Sequence, residues 1–368
     1  MGYESGTLEK LVTSSMLANL SAFKGKKILV TGHTGFKGTW LSRTLALAGA
    51  EVYGIALEPE VGSIYSRIKD LGIQNSTILD LRDRHGVNKY FQDKKFNGVF
   101  HLAAQPLVLK SYEEPIETFE TNVMGTAHLL DSIIANEAAS WVLVITTDKV
   151  YRNIEVEEGY GEEDALGGKD PYSASKSATE MVVNAWRAVA EQKKINVTLC
   201  SARAGNVIGG GDVAKDRLLP DLIRSFYQNA PAVIRNPNSL RPWQHVLDPI
   251  SGYLKIGQRL MSKDAIATAY NFGPGDESKL TVESMAKIAC SIWGGSSGYV
   301  IKSEPNQPSE SVLLWLSSER ANHDLGWKNA LDAPTAIRWT IDWERESRET
   351  DALTAIDSQI NKFFEGAS

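Results

Sequence analysis

Residues 26–38 read Lys26-Lys27-Ile28-Leu29-Val30-Thr31-Gly32-His33-Thr34-Gly35-Phe36-Lys37-Gly38 and run into a Leu- and Ala-rich stretch, Thr39–Gly49. Apolar strand, glycine turn and helix follow one another. At such a junction glycines let the backbone approach a pyrophosphate, and the free N–H groups and dipole of the helix N-terminus favour its negative charge. The spacing G-x-x-G-x-x-G departs from G-x-G-x-x-G, and a glycine pattern alone is a weak signal. Its position near the chain start, between a strand and a helix and ahead of a second strand at Glu51–Leu57, points to a dinucleotide. Glu58 stands at the tip of that second strand, 20 residues past Gly38, where an acid accepts from an adenosine ribose hydroxyl and favours NAD over NADP. A solvated loop acid is the plainer reading of the same residue.

Working outward, Ile78-Leu79-Asp80-Leu81-Arg82 reads as a third strand with an acid at its end, and Gly98–Ala104 as a fourth running into small residues that admit a cofactor. His101 reads as a packed strand-end histidine and His33 as a loop residue near phosphate; the six histidines form no ligand set. Phe119–Ala135 reads as a helix whose Asn122 either hydrogen-bonds strand backbone near the site or caps the helix. Strands alternate with helices as far as Leu199–Arg203, the pattern of a parallel sheet covered on both faces.

Chemistry concentrates at residues 142–176. Val142-Leu143-Val144-Ile145 ends in Thr146-Thr147-Asp148-Lys149-Val150-Tyr151, and Tyr172-Ser173-Ala174-Ser175-Lys176 follows. A strand that turns polar at its carboxyl end is where an open α/β sheet puts its ligands. On a helix Tyr172 and Lys176, at i and i+4, share a face, so the ammonium is placed to lower the phenol's pKa and make it a base near neutrality. Alone the Y-x-x-x-K spacing is weak, because such pairs are common on solvated helix faces. The acidic insert 155–164 between the two parts reads as a solvated loop.

With 368 residues, 42% hydrophobic and 23% charged, the chain has the composition of a soluble protein and length for two domains or one elaborated one. A net charge of −6 and a pI near 5.7 give no footprint for nucleic acid. Cys200 and Cys290 stand alone, which points to neither a metal site nor a disulfide framework and fits a reducing cytoplasm. No apolar stretch approaches a membrane span, and residues 1–22 read as a peripheral extension whose apolar positions fit one side of a short helix. After Arg203 the character changes. The glycine-rich 205–212, then Arg217 and Pro220, read as a crossing into another domain. Ile234–Pro237 and Arg241–Val246 add arginines, an aromatic ring and turns suited to a diphosphate and a base. Trp315, Trp327, Trp339 and Trp343 read as core.

Taken together, GHTGFKG (32–38), HLAAQ (101–105), TTDKVY (146–151), YSASK (172–176), ARAGNVIGGGD (202–212) and RPWQHV (241–246) resemble, in order and spacing, the extended short-chain dehydrogenase/reductase family over about residues 24–345. Within it the chain is most similar to the CDP-D-glucose 4,6-dehydratases, which have Lys, here Lys149, where most sugar-nucleotide dehydratases have Glu. Val213 departs from that group, which usually has Trp there. The resemblance implies a Rossmann-type, doubly wound parallel sheet with a smaller C-terminal α/β substrate-binding domain. Residues 1–23 would be an extension, 24–205 the NAD-binding domain with 242–272 returning to it, and 206–241 with 273–368 the sugar-nucleotide domain. Gly32, His33, Thr34, Gly35, Phe36, Lys37, Gly38, Glu58, Asp80, Leu81, Leu102, Ala103, Ala104, Gln105 and Asn122 would face NAD together with Tyr172 and Lys176. Gln105, Asn206, Arg217, Arg235, Arg241 and His245 would face CDP-D-glucose. A cytoplasmic homodimer packed through helices of the first domain, serving deoxysugar synthesis for surface polysaccharide, is also implied.

The implied reaction oxidises sugar carbon 4, removes water across carbons 5 and 6, and returns the hydride to carbon 6. Tyr172 would take the 4-hydroxyl proton, Lys176 would lower its pKa and hold the nicotinamide ribose, and Thr147 would hydrogen-bond the 4-oxygen. Lys149, neutral, would remove the carbon 5 proton, and Asp148, protonated, would supply the leaving 6-hydroxyl; a solvated Lys149 with water as base is the plainer alternative. A 4-epimerase or 4-reductase would share Tyr172 and Lys176 but need no elimination pair. A non-catalytic NAD or sugar-nucleotide sensor would be expected to lack Tyr172 or Lys176.

Overall fold

The computed structural model describes residues 18–156, 158–295, 297–302 and 313–366. Most of the N-terminal extension and Glu157 of the acidic insert lie outside the described residues. Seven strands, β1 (Lys27–Thr31), β2 (Glu51–Ala56), β3 (Ile73–Ile78), β4 (Gly98–His101), β5 (Trp141–Ile145), β6 (Thr198–Ala204) and β7 (Ala269–Phe272), form one sheet. Their order is β7-β6-β5-β4-β1-β2-β3, and every pairing is parallel. Alternate residues on each strand face opposite ways. Ile28, Val30, Phe100, Leu143 and Ile145 pack under Trp40 and Leu41 of the helix Phe36–Leu47 and Ile250 and Leu254 of the helix Leu247–Ser262. Leu29, Val99, Val142 and Val144 pack on the other face, against Leu129 and Ile133 of the helix Gly125–Ala135 and Val183 of the helix Pro171–Lys193. Burial on both faces is why these strands read as continuous apolar runs. The order reverses between β1 and β4, and that switch point opens the ligand crevice.

Several boundaries differ from expectation for physical reasons. The third strand is Ile73–Ile78, not 78–82. As an edge strand it exposes Gln74, Asn75 and Ser76, so an apolar-run criterion passes over it. Leu79–Arg82 is the turn beyond, where Asp80 Oδ2 accepts from Arg82 Nη2 at 2.6 Å while Leu81 is buried. The first helix begins at Phe36, capped by the backbone of Gly35, so Lys37 and Gly38 belong to its first turn. The helix around Asn122 contains a π-turn, Glu120–Met124, ahead of Gly125.

The acidic insert is not simply solvated. Tyr160 is buried and stacks on Tyr151 with centroids 5.1 Å apart, and the Glu162 carboxylate lies 3.7 Å from the Arg320 guanidinium. Nor is the last part of the extension peripheral, since the 3-10 turn Ala18–Phe23 buries Leu20 and Phe23 in the core.

A second lobe has its own core of Ile208, Leu222, Phe226, Ile234, Met285 and Ile337. Three small two-stranded pairings frame it: Val207–Ile208 with Gln244–His245, Leu240–Pro242 with Lys279–Thr281, and Ala232–Ile234 with Tyr299–Ile301. The helices Glu319–Leu325 and Ala352–Gly366, placed by the sequence in the second unit, pack instead on the core under the sheet through Ala321, Leu325, Ile356, Ile360 and Phe363. Trp315, Trp327, Trp339 and Trp343 are all buried.

Candidate active site

A cleft of about 1060 Å³ runs from the glycine turn, past the carboxyl ends of β4, β5 and β6, to the second lobe. At its near end Gly32 has φ +71°, and a Cβ there would stand 2.8 Å from the Ala103 backbone. A Cβ on Gly38 would collide with the Gly32 carbonyl. Only glycine fits both positions, and the resulting cradle, open at the first turn of the following helix and walled by Leu102, Ala103 and Ala104, accepts the diphosphate of a dinucleotide. Thr34 Oγ1 donates to the Leu57 carbonyl at 2.9 Å, tying the turn to the tip of β2. The residues present therefore fit NAD.

The helix carrying the phenol and the amine starts where its sequence directs it. Asp170 is the N-cap, accepting from Ser173 N at 2.9 Å, and Pro171 occupies the first turn. Tyr172 and Lys176 line the cleft and are 8% and 5% exposed. Burial pushes the phenol up to about 12, against which a hydrogen bond with Thr147 and the charge of Arg217 pull it down. Burial also brings Lys176 down to about 8, opposed by the Glu180 carboxylate. Lys176 Nζ donates to the Ile145 carbonyl at 3.3 Å. Desolvation, rather than the neighbouring charge that the sequence reading invoked, is the largest influence on both groups.

Strand β5 ends in a 3-10 turn, Asp148–Val150, capped by Thr147, whose Oγ1 accepts from Lys149 N at 3.4 Å and donates to Asp148 Oδ1 at 2.8 Å. Lys149 Nζ lies 3.7 Å from the same Asp148 oxygen. Thr147 and Lys149 face the cleft; Asp148 is buried just behind, its Oδ2 close under Gly205. Behind them Glu180 accepts from Thr146 Oγ1 at 2.5 Å and Ser201 Oγ at 2.7 Å and pairs with Arg203 Nε at 3.0 Å, fixing β5, β6 and the helix together.

Across the cleft, Asn206, Arg217, Arg235 and Arg241 all contribute to the lining. Arg217 Nη1 meets Asp212 Oδ2 at 2.8 Å and Arg235 Nη1 meets Asp216 Oδ1 at 3.1 Å. Val213 lies outside the lining; its carbonyl accepts from Arg224 Nη1 at 3.2 Å.

Four side chains expected to face ligand do not line the cleft. Gln105 is buried, donating to Leu107 O and Thr118 Oγ1 and accepting from Leu107 N, so both ends of its amide are occupied. Asn122 is no cap and no lining residue: its amide brackets the Gln105 backbone and donates to Ser175 Oγ at 2.9 Å, positioning the loop after β4 against the helix of Tyr172. His33 turns away from the cleft to meet Ser76 Oγ at 2.7 Å and the edge of Tyr65. His245 is fully buried between Trp40 and Trp339, and burial holds it near a pKa of about 3. The amides of Gln105 and Asn122 are thus engaged within the protein, and the rings of His33 and His245 are enclosed, although His33 Nδ1 and His245 Nε2 make no hydrogen bond among the described residues. Glu58 is exposed next to Leu57, which does line the cleft, while Asp80 and Leu81 line it directly. His101 is a strand-end packing residue, with Nδ1 2.7 Å from Thr31 Oγ1 and Nε2 2.9 Å from Thr126 Oγ1.

Sequence reasoning missed Lys215, Asp212 and Asp216 on the far wall and the stretch Pro106–Lys110 on the near one. The alternation of acids and bases in Asp212–Arg217 was the available signal for the first group. The second carries none.

A phenol and an amine one turn apart on a helix that closes the crevice of a parallel seven-stranded sheet define a short-chain dehydrogenase/reductase. Residues 29–340 match the family model for GDP-mannose 4,6 dehydratase. A CDP-glucose 4,6-dehydratase from Salmonella typhimurium is 43% identical over 349 residues, 93% of this chain and 97% of that one. Among solved structures, an epimerase from Methanothermobacter thermautotrophicus superposes with a TM-score of 0.78 at 22% identity, covering 91% of this chain and 97% of its own. The dTDP-glucose 4,6-dehydratase from Streptomyces venezuelae, with NAD bound, gives 0.75 at 24% identity and covers 88% and 98%. At these identities the structural likeness is one of fold. The chain belongs to the GDP-mannose 4,6-dehydratase family of extended short-chain dehydrogenases/reductases.

Proposed function

We propose that this chain is an NAD-dependent CDP-D-glucose 4,6-dehydratase, a hydro-lyase that forms CDP-4-keto-6-deoxy-D-glucose and water. The observation that carries the reading is the Asp148–Lys149 pair, 3.7 Å apart on the turn that also presents Thr147 to the Tyr172 phenol. A 4-epimerase needs no such pair. The extended identity to the Salmonella enzyme supports CDP as the nucleotide.

The cradle of Gly32–Gly38 would hold NAD, which would supply a hydride acceptor for sugar carbon 4 and a hydride donor for carbon 6. Tyr172 takes the 4-hydroxyl proton as the phenolate, a form that the positive charge of Arg217 and the hydrogen bond with Thr147 favour against the effect of its burial. The ketone acidifies the carbon 5 hydrogen; Lys149 as amine removes it, and Asp148 as acid protonates the departing 6-hydroxyl, which leaves as water. Amine plus acid carries the same number of protons as the ion pair. Closing the site over substrate favours this neutral arrangement, because desolvation disfavours both charges. The proton held by Lys149 then returns to carbon 5. Arg217, Arg235 and Arg241 hold the diphosphate from the second lobe.

The protein works as a cytoplasmic homodimer that supplies deoxysugar for surface polysaccharide. Exposed Tyr112, Ile116, Phe119 and Met181 on the packed helices of residues 108–119 and 171–193 support pairing there, and no helix among the described residues is long and apolar enough to cross a membrane. The test is incubation with CDP-, UDP-, GDP- and dTDP-glucose, following 4-keto product at alkaline pH. Substrate deuterated at carbon 4 should yield product labelled at carbon 6 of the same molecule. Label returned to carbon 4 with inverted configuration would establish an epimerase, and no turnover despite tight NAD binding a sensor.

A further inference from the structure

The glycine turn contains a lysine that the reaction above does not use. Lys37 occupies the first turn of the helix after β1, lines the cleft, and extends inward, where its Nζ donates to the Tyr253 hydroxyl at 3.3 Å and lies 5.6 Å from the centre of that ring. Among the described residues no carboxylate forms an ion pair with it. The charged groups that act on it are two cations, Arg217 and Lys176, and one anion, Asp148, which is already engaged by Thr147 and Lys149. Tyr253 is buried, and burial keeps its phenol protonated, so it offers no compensating charge. An amine placed this way is poorly solvated, faces like charge, and belongs to the first turn of the helix to whose N-terminus a dinucleotide brings two negative phosphates.

Resting on the NAD reading, we infer that Lys37 couples cofactor binding to proton uptake: largely uncharged in the empty cleft, it is protonated when the diphosphate arrives and then serves as the counter-ion of the bound cofactor. The electrostatics agree, since burial first, then Arg217 and Lys176, bring the amine down to about 7 in the cofactor-free protein. An incoming anion favours the charged form and raises that value, and by linkage a group whose proton affinity rises on binding takes up protons in the interval between its free and bound pKa. Permanently solvated lysines would show no such uptake, being fully charged before binding.

The experiment is calorimetric titration of the full-length protein with NAD at about pH 7.5, repeated in buffers of different ionisation enthalpy, which yields protons taken up per cofactor bound. Wild type should take up a large fraction of one proton. Lys37→Met should lose most of that uptake and bind NAD about tenfold more weakly, a change of about 1.4 kcal/mol. Lys37→Arg, charged at every accessible pH, should bind NAD without uptake and decides the matter if the methionine variant binds too weakly to measure. Uptake undiminished in either variant would overturn the inference and assign the proton to another group, Lys176 foremost. NAD binding by wild type with no uptake would also overturn it. Absence of NAD binding by the wild type would instead defeat the cofactor reading on which the inference rests.

Discussion

Tyr172 and Lys176, on the sheet side of the cleft, are 8% and 5% exposed, whereas the Arg217 and Arg235 side chains across from them are 33% and 38% exposed. The sheet side is held by buried hydrogen bonds, from Asp170 at the helix cap to Glu180 and Arg203 behind β5, and burial there displaces protonation equilibria by units. On the lobe side Arg235 pairs with Asp216 near water, where such a pair is worth about 0–1 kcal/mol and is readily exchanged for a phosphate, and Arg217 reaches a more buried partner, Asp212, from a half-buried position. Fixed, desolvated groups suit bond making; solvated groups with weak partners suit capture and release. On the proposed reading, the difference puts chemistry on one wall and binding on the other.

Substitutions on the two walls should therefore fail in different parameters. The largest effect is expected from Tyr172→Phe, which should lower kcat by about 10³–10⁴ while leaving NAD binding nearly intact, since the phenol acts in the reacting step. Turnover within about tenfold of wild type, roughly 1.4 kcal/mol, would remove Tyr172 from that role. Asp148→Asn and Lys149→Met should slow water elimination by about 10²–10³ and the first oxidation far less, so that quench-flow finds 4-ketohexose that still carries its 6-hydroxyl. Loss of the oxidation alone in both variants would contradict the elimination assignment.

Arg217→Ala tests the opposite wall. A charged hydrogen bond to phosphate is worth about 1.5–3 kcal/mol, so KM should rise about 10–100-fold with kcat within about threefold of wild type. A kcat loss as large as that of the elimination pair would erase the division between the walls, and is conceivable physically because Arg217 acts on the Tyr172 phenol. The smallest effect is reserved for Glu58, exposed beside the lining. If its charge repels a 2′-phosphate, wild type should prefer NAD to NADP and Glu58→Gln should narrow the preference by about tenfold. Equal binding of the two cofactors by wild type would show that Glu58 points elsewhere.

The sequence by itself determined the parts that obey local rules: the strand, glycine turn and helix of residues 26–47, the apolar runs of β4 and β5, and the i, i+4 spacing of Tyr172 and Lys176. Backbone sterics, side-chain period and helix capping act over a few residues, and a short window contains all their causes. Tertiary structure alone decided which polar groups face the cleft. Gln105, His33 and His245 carry functional groups that would suit a ligand site, but Leu107 and Thr118, Ser76, and Trp40 and Trp339 respectively engage or enclose them. It also decided that β3 is a polar edge, that Glu162 is matched by Arg320, and that Lys37 meets two cations and, among the described residues, no free carboxylate. Desolvation and long-range pairing depend on residues brought together only by folding, and protonation states follow from them.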